Sequence, residues 1–395
     1  MDSLLTSENS YISKLILTNF RNYKNASFTF SEDLNVIYGK NGVGKTNILE
    51  SISLLSPGRG FRSANIPELS TIKESAHVVD QGLKSYEFQN LLWCVYTKVE
   101  NHSFFNNVSV FANLKDLQEE TYKKNIQLND KIITEQGLLN NVSNVIWLTP
   151  QMNQLFNAPS STRRKFLDRI VYLIDSSHCS RVAKYEKLLR ERIKILSSEF
   201  NYDKNWVTAV ERKIAELGVA IAASRNETLM HLNRIFSQYN LNFPVAKIYL
   251  EGYFEKYLEQ GNSALSCEEE FIRKLYESRN DDAMSKRSNV GVHKSDMKVV
   301  FADKNLEARH CSTGEQKLLL ISITLAKALM CNVLNKARPI LLLDEVCSYL
   351  DEEKRSVLFR ELIKLNTQCF MTGIQKNIFV ELDETNKEIK YLNLK

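Results

Sequence analysis

A glycine-rich segment near the N-terminus carries the clearest chemical pattern in the sequence. It reads GKNGVGKT over residues 39–46 and fits the pattern G-x-x-x-x-G-K-S/T at every fixed position. A strand is expected before it and a helix after it, which is the context that this phosphate-binding loop requires. Its backbone N–H groups would surround phosphates, Lys45 would reach the terminal phosphates, and the Thr46 hydroxyl would bind Mg²⁺. The segment predicts an ATP site, for which a chance glycine-rich turn is the weaker alternative. The predicted nucleotide-binding residues are Gly39, Lys40, Asn41, Gly42, Val43, Gly44, Lys45 and Thr46.

Two adjacent carboxylates follow an apolar run late in the chain. Residues 340–343 are all apolar, as in a strand buried on both faces, and Asp344 and Glu345 come directly after them. Beside a bound triphosphate, Asp344 would belong to the Mg²⁺ shell and Glu345 would act as the general base that activates water. Alone, such a pair is more often part of a solvated loop. The phosphate-binding loop favours the catalytic interpretation, with Lys45, Asp344 and Glu345 as the catalytic residues.

A short polar turn precedes the longest apolar helix pattern and reads CSTGEQKL over residues 311–318. Ser312 fits an N-cap position, and the N–H groups that follow it would form a second anion site. The turn resembles the L-S-G-G-Q signature of ABC ATPases, with Ser312, Gly314 and Gln316 as nucleotide contacts. A capping box between Ser312 and Glu315 explains the same residues without a ligand. The order of phosphate-binding loop, signature and acidic strand along the chain favours the signature.

The elements that must position these residues follow from hydrophobic periodicity. A strand-rich stretch over residues 85–149 predicts an antiparallel lobe, and a break at residues 201–205 separates two amphipathic helices. The second of these helices would have roughly 30 residues and a length of about 45 Å, which makes a short arm. Strands are predicted at residues 11–20, 26–30, 35–38, 91–99, 108–112, 145–148 and 339–343, and helices at residues 45–55, 182–200, 207–236 and 318–334.

The composition is that of an ordinary globular protein of two or three compact units, and it names no function. The 52 basic residues exceed the 47 acidic residues by five, so any contact with nucleic acid must come from local clusters. The seven cysteines include no Cys-x-x-Cys pair, which favours reduced cysteines in a cytoplasmic protein. No secretory signal pattern is recognisable at the N-terminus. Lys327 interrupts the apolar run of residues 318–334, which favours a buried helix over a membrane span.

Local basic clusters are the candidates for contact with DNA, because cations neutralise phosphates without reading bases. No helix-turn-helix or zinc-finger pattern is recognisable, so recognition by DNA structure is expected. A basic helix over residues 181–194 is a further candidate, although a charged helix face is usually only solvated. The pair Arg163 and Arg164 has a second explanation, since it would also hold an internal acid in place. The candidate DNA contacts are Arg59, Arg62, Arg163, Arg164, Lys286 and Arg287.

Segments across most of the chain resemble the RecF family. They read ISKLILTNFRN at residues 12–22, GRGFR at 58–62 and RRKFLD at 163–168, with further matches at 38–50, 291–296 and 312–351. The phosphate-binding loop and the carboxylate pair occur in many ATPases, whereas GRGFR and RRKFLD point to this family in particular. The end of the last match, Tyr349 to Asp351, is similar to a D-loop, which adds Asp351 to the expected nucleotide contacts.

The resemblance implies an α/β fold, a P-loop ABC-type ATPase head with a mixed β-sheet and an antiparallel β subdomain, plus a helical lobe with a short coiled-coil arm. The implied limits are residues 1–175 and 286–395 for the two parts of the head and 176–285 for the helical lobe. It also implies weak, DNA-stimulated ATP hydrolysis with Mg²⁺, and an ATP-driven homodimer in which Ser312 acts on the partner's nucleotide. The implied partners are junctions of single- and double-stranded DNA and the mediator proteins RecO and RecR.

Three positions depart from the family pattern. Gln151 takes the place of the Q-loop metal ligand in a segment where acidic residues are usual. The segment at residues 291–294 reads GVHK, and Thr372 stands where transporter ATPases carry a switch histidine. Three alternatives stay open: the head of a chromosome-structure (SMC) ATPase, an ATP-dependent nuclease, and a scaffold that binds DNA without hydrolysing ATP. The short arm weighs against the SMC head, and the lack of a second acidic cluster weighs against the nuclease. The intact catalytic residues weigh against the scaffold.

Overall fold

The apolar runs form strands and helices that divide between two compact units. The computed structural model describes residues 10–71, 91–101, 104–116, 121–134, 136–197, 203–334, 336, 338–365 and 367–395. The first unit comprises residues 1–152 and 327–395, and the second comprises residues 153–326. The boundary at residue 326 falls inside a helix. The three-part limits expected from the family resemblance stay a prediction.

Within the described residues, the strands are β1 Tyr11–Phe20, β2 Tyr23–Thr29, β3 Leu34–Tyr38, β4 Leu91–Glu100, β5 Phe105–Asp116, β6 Thr121–Leu128, β7 Lys131–Ile133, β8 Asn144–Leu148, β9 Ala246–Glu251, β10 Asp296–Phe301, β11 Leu306–Glu307, β12 Pro339–Leu343, β13 Gln368–Gly373 and β14 Ile389–Asn393. The α-helices are α1 Lys45–Ser53, α2 Ser160–Tyr172, α3 His178–Leu196, α4 Lys204–Gln238, α5 Tyr253–Glu259, α6 Ala264–Glu277, α7 Arg279–Ser285, α8 Thr313–Val333 and α9 Glu352–Leu365. Each predicted strand and helix corresponds to one of these elements, with ends that shift by a few residues. Residues 85–90 of the predicted antiparallel lobe, and 198–202 at the predicted helix break, lie outside the described residues.

Two sheets make up the first unit. One is antiparallel with the strand order β2-β1-β4-β5-β6-β7, and the other is parallel with the order β14-β3-β13-β12-β8. The side chains of β12 and β13 are buried along their whole length, as expected for parallel strands that are covered on both faces. In the core, Phe30 packs edge to face against Phe370, with 4.8 Å between the ring centroids. The buried amide of Gln368 bonds the backbone N–H and C=O of Ile12, which joins the parallel sheet to the antiparallel one.

The second unit is built on the long helix α4, which packs antiparallel to α3. Arg192 of α3 pairs with Glu211 near the start of α4 at 2.8 Å, and Arg181 of α3 bonds Ser224 further along α4 at 3.2 Å. Asp203 caps the start of α4 by accepting hydrogen bonds from the next turn. A separate apolar core lies between these helices and α6. The predicted arm of roughly 30 residues is therefore a helix of 35 residues in contact with its neighbours.

Helix α8 is the most apolar helix of the described residues. It is long and apolar enough to cross a membrane, and 72% of its apolar window is buried inside the protein. Burial of this extent is typical of a core helix, which agrees with the prediction that the apolar run is not a membrane span.

Candidate nucleotide site

The parallel sheet brings two distant motifs to one edge. The phosphate-binding loop follows β3 and the carboxylate pair follows β12, while β13 lies between these two strands. In a parallel sheet the carboxyl ends of neighbouring strands lie at the same edge, where ligands are usually bound. The register places Thr372 of β13 beside Ile37 of β3, two residues before Gly39, where the phosphate-binding loop begins.

Glycine is required at two points of the phosphate-binding loop. Gly44 has φ +109°, and a Cβ there would lie 2.5 Å from the Tyr23 hydroxyl and 2.6 Å from the Asn22 amide nitrogen. Gly39 has φ +153°, and a Cβ there would lie 2.3 Å from the carbonyl oxygen of Leu394. Both positions combine a backbone conformation that favours glycine with a close approach of neighbouring atoms. The turn between β1 and β2 and the C-terminal strand thus help to shape the loop.

Lys45 is held inside the loop by backbone carbonyls. Its side chain is only 4% exposed, and its Nζ donates hydrogen bonds to the carbonyl oxygens of Gly39 at 2.7 Å and Lys40 at 2.8 Å. Burial lowers the pKa of Lys45, and the negative charges of Glu345 and Asp344 oppose that shift. The ammonium group is therefore positioned inside the loop, with its charge balanced by the acidic residues at the end of β12.

Asp344 and Thr46 form a set of oxygen atoms suited to a magnesium ion. The Thr46 hydroxyl donates to Asp344 Oδ1 at 3.0 Å, and the Thr372 hydroxyl donates to the same oxygen at 2.9 Å. Burial raises the pKa of Asp344 above its usual range, while the hydrogen bonds from Thr372 and Thr46 oppose this shift. Mg²⁺ is usually held by one or two protein oxygens together with phosphate and water oxygens. Thr46 and Asp344 fit that need, as predicted from the sequence.

Glu345 faces the same space. Its backbone is left-handed, with φ +54°, its N–H donates to the Thr372 hydroxyl at 2.8 Å, and its carboxylate accepts a bond from Tyr349 at 3.4 Å. A cavity of about 290 Å³ lies over the phosphate-binding loop. Residues that line the cavity are Asn41, Gly42, Gly44, Lys45, Thr46, Asn47, Arg62 and Glu345. The structure thus brings Lys45, Thr46 and Glu345 to one cavity, and Asp344 is bonded to Thr46 beside it.

Arg62 lines this cavity as well, although the sequence pointed to it as a DNA contact. Its guanidinium donates to Asn47 at 2.8 Å and to Glu50 at 2.9 Å, both on α1. Glu50 is fully buried and also receives two hydrogen bonds from Arg21. The sequence did not predict this arrangement, because no local pattern shows that the Arg62 side chain contacts residues of α1, 12 to 15 positions earlier in the chain. The DNA role of Arg62 stays a prediction. Of its two observed partners, Asn47 also lines the cavity, whereas Glu50 is buried.

The signature turn belongs to the second unit and forms the start of α8. The Ser312 hydroxyl accepts from the Glu315 N–H at 3.3 Å, and Glu315 accepts from the Ser312 N–H at 2.8 Å. This is the capping box that was the alternative interpretation of the turn. Ser312 and Gly314 are exposed, whereas Gln316 is buried and bonds the Cys311 carbonyl at 3.1 Å. The capping box engages Ser312 and Glu315, whereas Gly314 takes no part in it. The capping box therefore does not exclude the signature role.

Two further candidates lie in the first unit. Gln151 is exposed just beyond the end of β8, the strand that pairs with β12. Asp351 is exposed at the start of α9, where its carboxylate accepts from the Lys354 N–H at 2.8 Å. Both therefore follow strands or turns at the edge that holds Asp344, and their nucleotide roles stay predictions.

The candidate DNA contacts fall into two groups. Arg59, Lys286 and Arg287 are exposed. Arg163 is held by both oxygens of Asp296 at 2.7 Å, and Arg164 donates to a backbone carbonyl at 2.7 Å. These internal partners match the second explanation for the arginine pair. One basic residue of helix α3 is also paired inside the protein: the fully buried Arg192 forms ion pairs with Glu211 of α4 and Asp282 of α7.

Asp168, the last residue of the RRKFLD segment, lies in a buried ion network of the second unit. Both of its oxygens accept from Arg225, at 2.9 and 3.0 Å, and Oδ1 lies 2.9 Å from His178 Nε2. Burial alone would raise the pKa of Asp168, but the positive charge of Arg225 and these hydrogen bonds lower it to about 2. The segment that carries the family resemblance therefore also stabilises the helical unit.

Asp168→Asn is expected to destabilise the protein by about 3 kcal/mol at pH 7, because it removes the carboxylate that accepts two hydrogen bonds from the buried Arg225 and leaves only Glu255, at 3.3 Å, to pair with that charge. The lowered pKa adds stability that is present above about pH 4, the pKa of an unfolded aspartate, and is lost as the pH falls toward 2. Urea unfolding between pH 7 and pH 3 would measure both effects. The variant should show a flatter loss of stability in acid, whereas the exposed control Asp303→Asn should follow the wild type. An acid limb parallel to that of the wild type would contradict the role of the pair.

The geometry agrees with comparisons to known proteins. The family model described as the RecF/RecN/SMC N terminal domain matches residues 11–146. The chain is 35% identical over 388 residues to the DNA replication and repair protein RecF of Rhizobium rhizogenes, with 95% of both chains covered. It is 36% identical to RecF of Rickettsia felis, covering 93% of this chain and 94% of the relative.

Solved structures with the same fold include the recombination mediator protein RecF-ATPrS in the RecFOR pathway. That structure matches with a TM-score of 0.78 and 23% identity, covering 94% of this chain and 95% of its own. The Smc head domain of Pyrococcus furiosus matches with a TM-score of 0.50 and 17% identity, covering 94% and 92%. The fold class predicted from the sequence is confirmed: an ABC-type ATPase head with parallel and antiparallel strands and a helical part. Within the described residues the head separates these strands into one parallel and one antiparallel sheet, where a mixed sheet was expected.

Proposed function

Because the chain belongs to the RecF family, we propose that it is a DNA repair protein that binds and hydrolyses ATP and uses the nucleotide to control a homodimer on DNA. The observation that carries the proposal is the convergence of Lys45, Thr46, Asp344 and Glu345 at one edge of the parallel sheet, around a cavity of about 290 Å³. Motifs about 300 residues apart in the sequence contribute to this one site, which a chance glycine-rich turn does not explain.

Each side chain has a chemical task in hydrolysis. Lys45 stabilises the negative charge that grows on the phosphate oxygens. Thr46 and Asp344 would hold Mg²⁺, which would supply positive charge to neutralise the terminal phosphates. Glu345 accepts a proton from water as the water oxygen bonds to the terminal phosphorus and the bond to the bridging oxygen breaks, releasing ADP and phosphate. Arg62 lines the same cavity and adds a positive charge near the phosphates.

The homodimer is proposed from the residues that the site of one protomer does not use. Ser312 and Gly314 are exposed at the N-terminus of α8, where the helix dipole attracts anions. We assign these two residues, with Gln316 and Asp351, to the nucleotide held by a second copy of the chain. ATP would then be the group that joins two protomers, and hydrolysis would release them.

The DNA partner is proposed to be a junction of single- and double-stranded DNA, and RecO and RecR are the proposed mediators. The name RecFOR pathway, attached to the solved relatives, supports this context. The exposed cations Arg59, Lys286 and Arg287 are the preferred phosphate contacts because they have fewer internal partners than Arg163 and Arg164. A cytoplasmic location follows from the same proposal.

The test is ATP hydrolysis measured with and without gapped duplex DNA, together with the molecular size in ATP and in ADP. We expect slow hydrolysis that DNA accelerates, and a dimer in ATP that returns to a monomer in ADP. Absence of hydrolysis under both conditions would refute the ATPase, and DNA cleavage in the same assay would favour the nuclease alternative. Dimerisation by ATP without turnover would favour the non-hydrolysing scaffold.

The double variant Lys286→Glu/Arg287→Glu is expected to keep the basal rate and lose most of the stimulation by DNA. Each lost phosphate contact should lower the slope of log affinity against log salt concentration by about 1. Lys247→Glu/Lys256→Glu makes the same charge change at exposed positions of the same unit and serves as the control. Equal loss of DNA binding in both double variants would show a general effect of charge and would contradict the assigned contacts.

A further inference from the structure

One buried hydroxyl links the two acidic residues of the nucleotide site. Thr372 is 0% exposed, and its Oγ1 donates a hydrogen bond to Asp344 Oδ1 at 2.9 Å. Thr372 Oγ1 also accepts a hydrogen bond from the Glu345 backbone N–H at 2.8 Å. A hydroxyl has one proton to donate and lone pairs to accept, so a single threonine serves both bonds. The two neighbouring carboxylate residues thus share one anchor.

The anchor matters because Glu345 has an unusual backbone conformation. Its φ of +54° lies in the left-handed region, which residues with a Cβ rarely adopt. The bond from its N–H to Thr372 holds the backbone in that conformation, and the backbone direction decides where the carboxylate points. A glutamate in an extended or right-handed conformation at this position would direct its side chain elsewhere.

Asp344 depends on the same hydroxyl in a different way. Its Oδ1 accepts from Thr372 on β13 and from Thr46 after the phosphate-binding loop, so the carboxylate is oriented from two sides. Hydrogen bonds to a buried carboxylate are stronger than those between neutral groups. Thr372 therefore helps to keep the proposed Mg²⁺ ligand oriented.

Position in the sheet explains how one threonine reaches both residues. Strand β13 lies between β3, which leads to the phosphate-binding loop, and β12, which leads to the carboxylates. Thr372 is one residue beyond Met371, which pairs with Leu343 at the end of β12. Its side chain is thus next to the first two residues that leave β12. Thr372 is buried and does not line the cavity, so it would affect hydrolysis only through Asp344 and Glu345.

We propose that Thr372 is a positioning residue for ATP hydrolysis, whose hydroxyl holds Asp344 for the magnesium ion and Glu345 for the attacking water. The inference rests on the proposed ATPase function. It adds a role for a residue that is neither part of the phosphate-binding loop nor one of the acidic residues. The role belongs to the hydroxyl and not to the shape of the side chain.

Three variants separate the hydroxyl from packing. Thr372→Val keeps the branched shape and removes the hydroxyl, whereas Thr372→Ser keeps the hydroxyl. Thr367→Val is the matched control: Thr367 is 2% exposed just before β13, and its hydroxyl has no hydrogen-bond partner within the described residues. All three proteins should fold, as checked by circular dichroism and thermal unfolding.

For Thr372→Val we expect a kcat about 10-fold to 100-fold lower and a higher Mg²⁺ concentration at half-maximal rate. Affinity for a fluorescent ATP analogue should change less than threefold, because Lys45 and the loop are untouched. Thr372→Ser should recover most of the rate, and Thr367→Val should match the wild type. A rate for Thr372→Val within twofold of the wild type, or a Thr372→Ser variant as slow as Thr372→Val, would overturn the proposal.

Hydrogen exchange of the Glu345 amide tests the positioning without any nucleotide. The amide should exchange at least tenfold faster in Thr372→Val than in the wild type or Thr372→Ser, because its hydrogen-bond acceptor is gone. Unchanged exchange would overturn the proposal even if the rate fell. If the wild type has no ATPase activity, the proposed function is refuted. If exchange of the Glu345 amide is nevertheless faster in Thr372→Val than in the wild type and Thr372→Ser, Thr372 is still supported as the anchor of the two acidic residues.

Discussion

Glu345→Gln is expected to lower the rate of ATP hydrolysis by about 10²-fold to 10⁴-fold, which is the usual contribution of a general base. Glutamine has nearly the same shape but does not accept the proton of the attacking water. ATP binding should persist because Lys45, Thr46 and Asp344 are unchanged. The variant should therefore accumulate as an ATP-bound dimer on DNA, measurable by single-turnover hydrolysis and by light scattering in ATP.

Glu353→Gln is the control for this substitution. Glu353 lies on α9, eight residues further along the chain, and its side chain is 82% exposed. Its replacement should leave the rate and the dimer lifetime as they are in the wild type. The general base would be wrongly assigned if Glu345→Gln hydrolysed ATP at the wild-type rate and its dimer dissociated as quickly.

Lys45→Ala is expected to abolish nucleotide binding. The ammonium group is buried in the phosphate-binding loop beside its backbone N–H groups, and its loss removes the positive charge that the loop itself holds for the phosphates. A ligand at 100 times its Kd stabilises the folded state by about 2.7 kcal/mol. The wild type should therefore show a raised Tm with ATP, and Lys45→Ala should show none.

Lys40→Ala separates this effect from a general loss of charge. Lys40 belongs to the same loop and contributes its backbone carbonyl to Lys45, while the residue itself is exposed. Its replacement should lower ATP affinity by much less than that of Lys45. Without nucleotide, Lys45→Ala should unfold close to the wild type, because burial already disfavours the lysine charge. A Tm shift with ATP in Lys45→Ala would contradict the assignment of Lys45.

Most of the fold could be predicted because its elements have strong local patterns. The bounds of β1 and β12 agree with the prediction to the residue, and α1 begins at the predicted lysine. Apolar periodicity also indicated the two long helices of the second unit. Short elements such as β7, β9 and α7 were missed, because a few residues carry too little periodicity to separate a strand from a turn. The longer helices α2, α6 and α9 were not predicted either.

Tertiary contacts changed the interpretation of the basic residues. GRGFR and RRKFLD are basic segments, and the sequence alone does not distinguish a free cation from a paired one. In the structure, Arg62 bonds Glu50 and Arg163 bonds Asp296, which is 133 residues further along the chain. A charged partner at that separation has no signature in a local pattern. The exposed Lys286 and Arg287 thereby became the preferred contacts for DNA.

The sequence by itself determined the family, and it predicted the chemistry of Lys45 and Thr46 and the roles of Asp344 and Glu345 as their acidic partners. These properties belong to contiguous residues whose backbone conformation and charge are local. Only the tertiary structure decided that β13 lies between β3 and β12, and therefore that Thr372 bonds both acidic residues. The physical reason is that strand order arises from the packing of the whole sheet, so side chains distant in sequence meet only after the strands have paired.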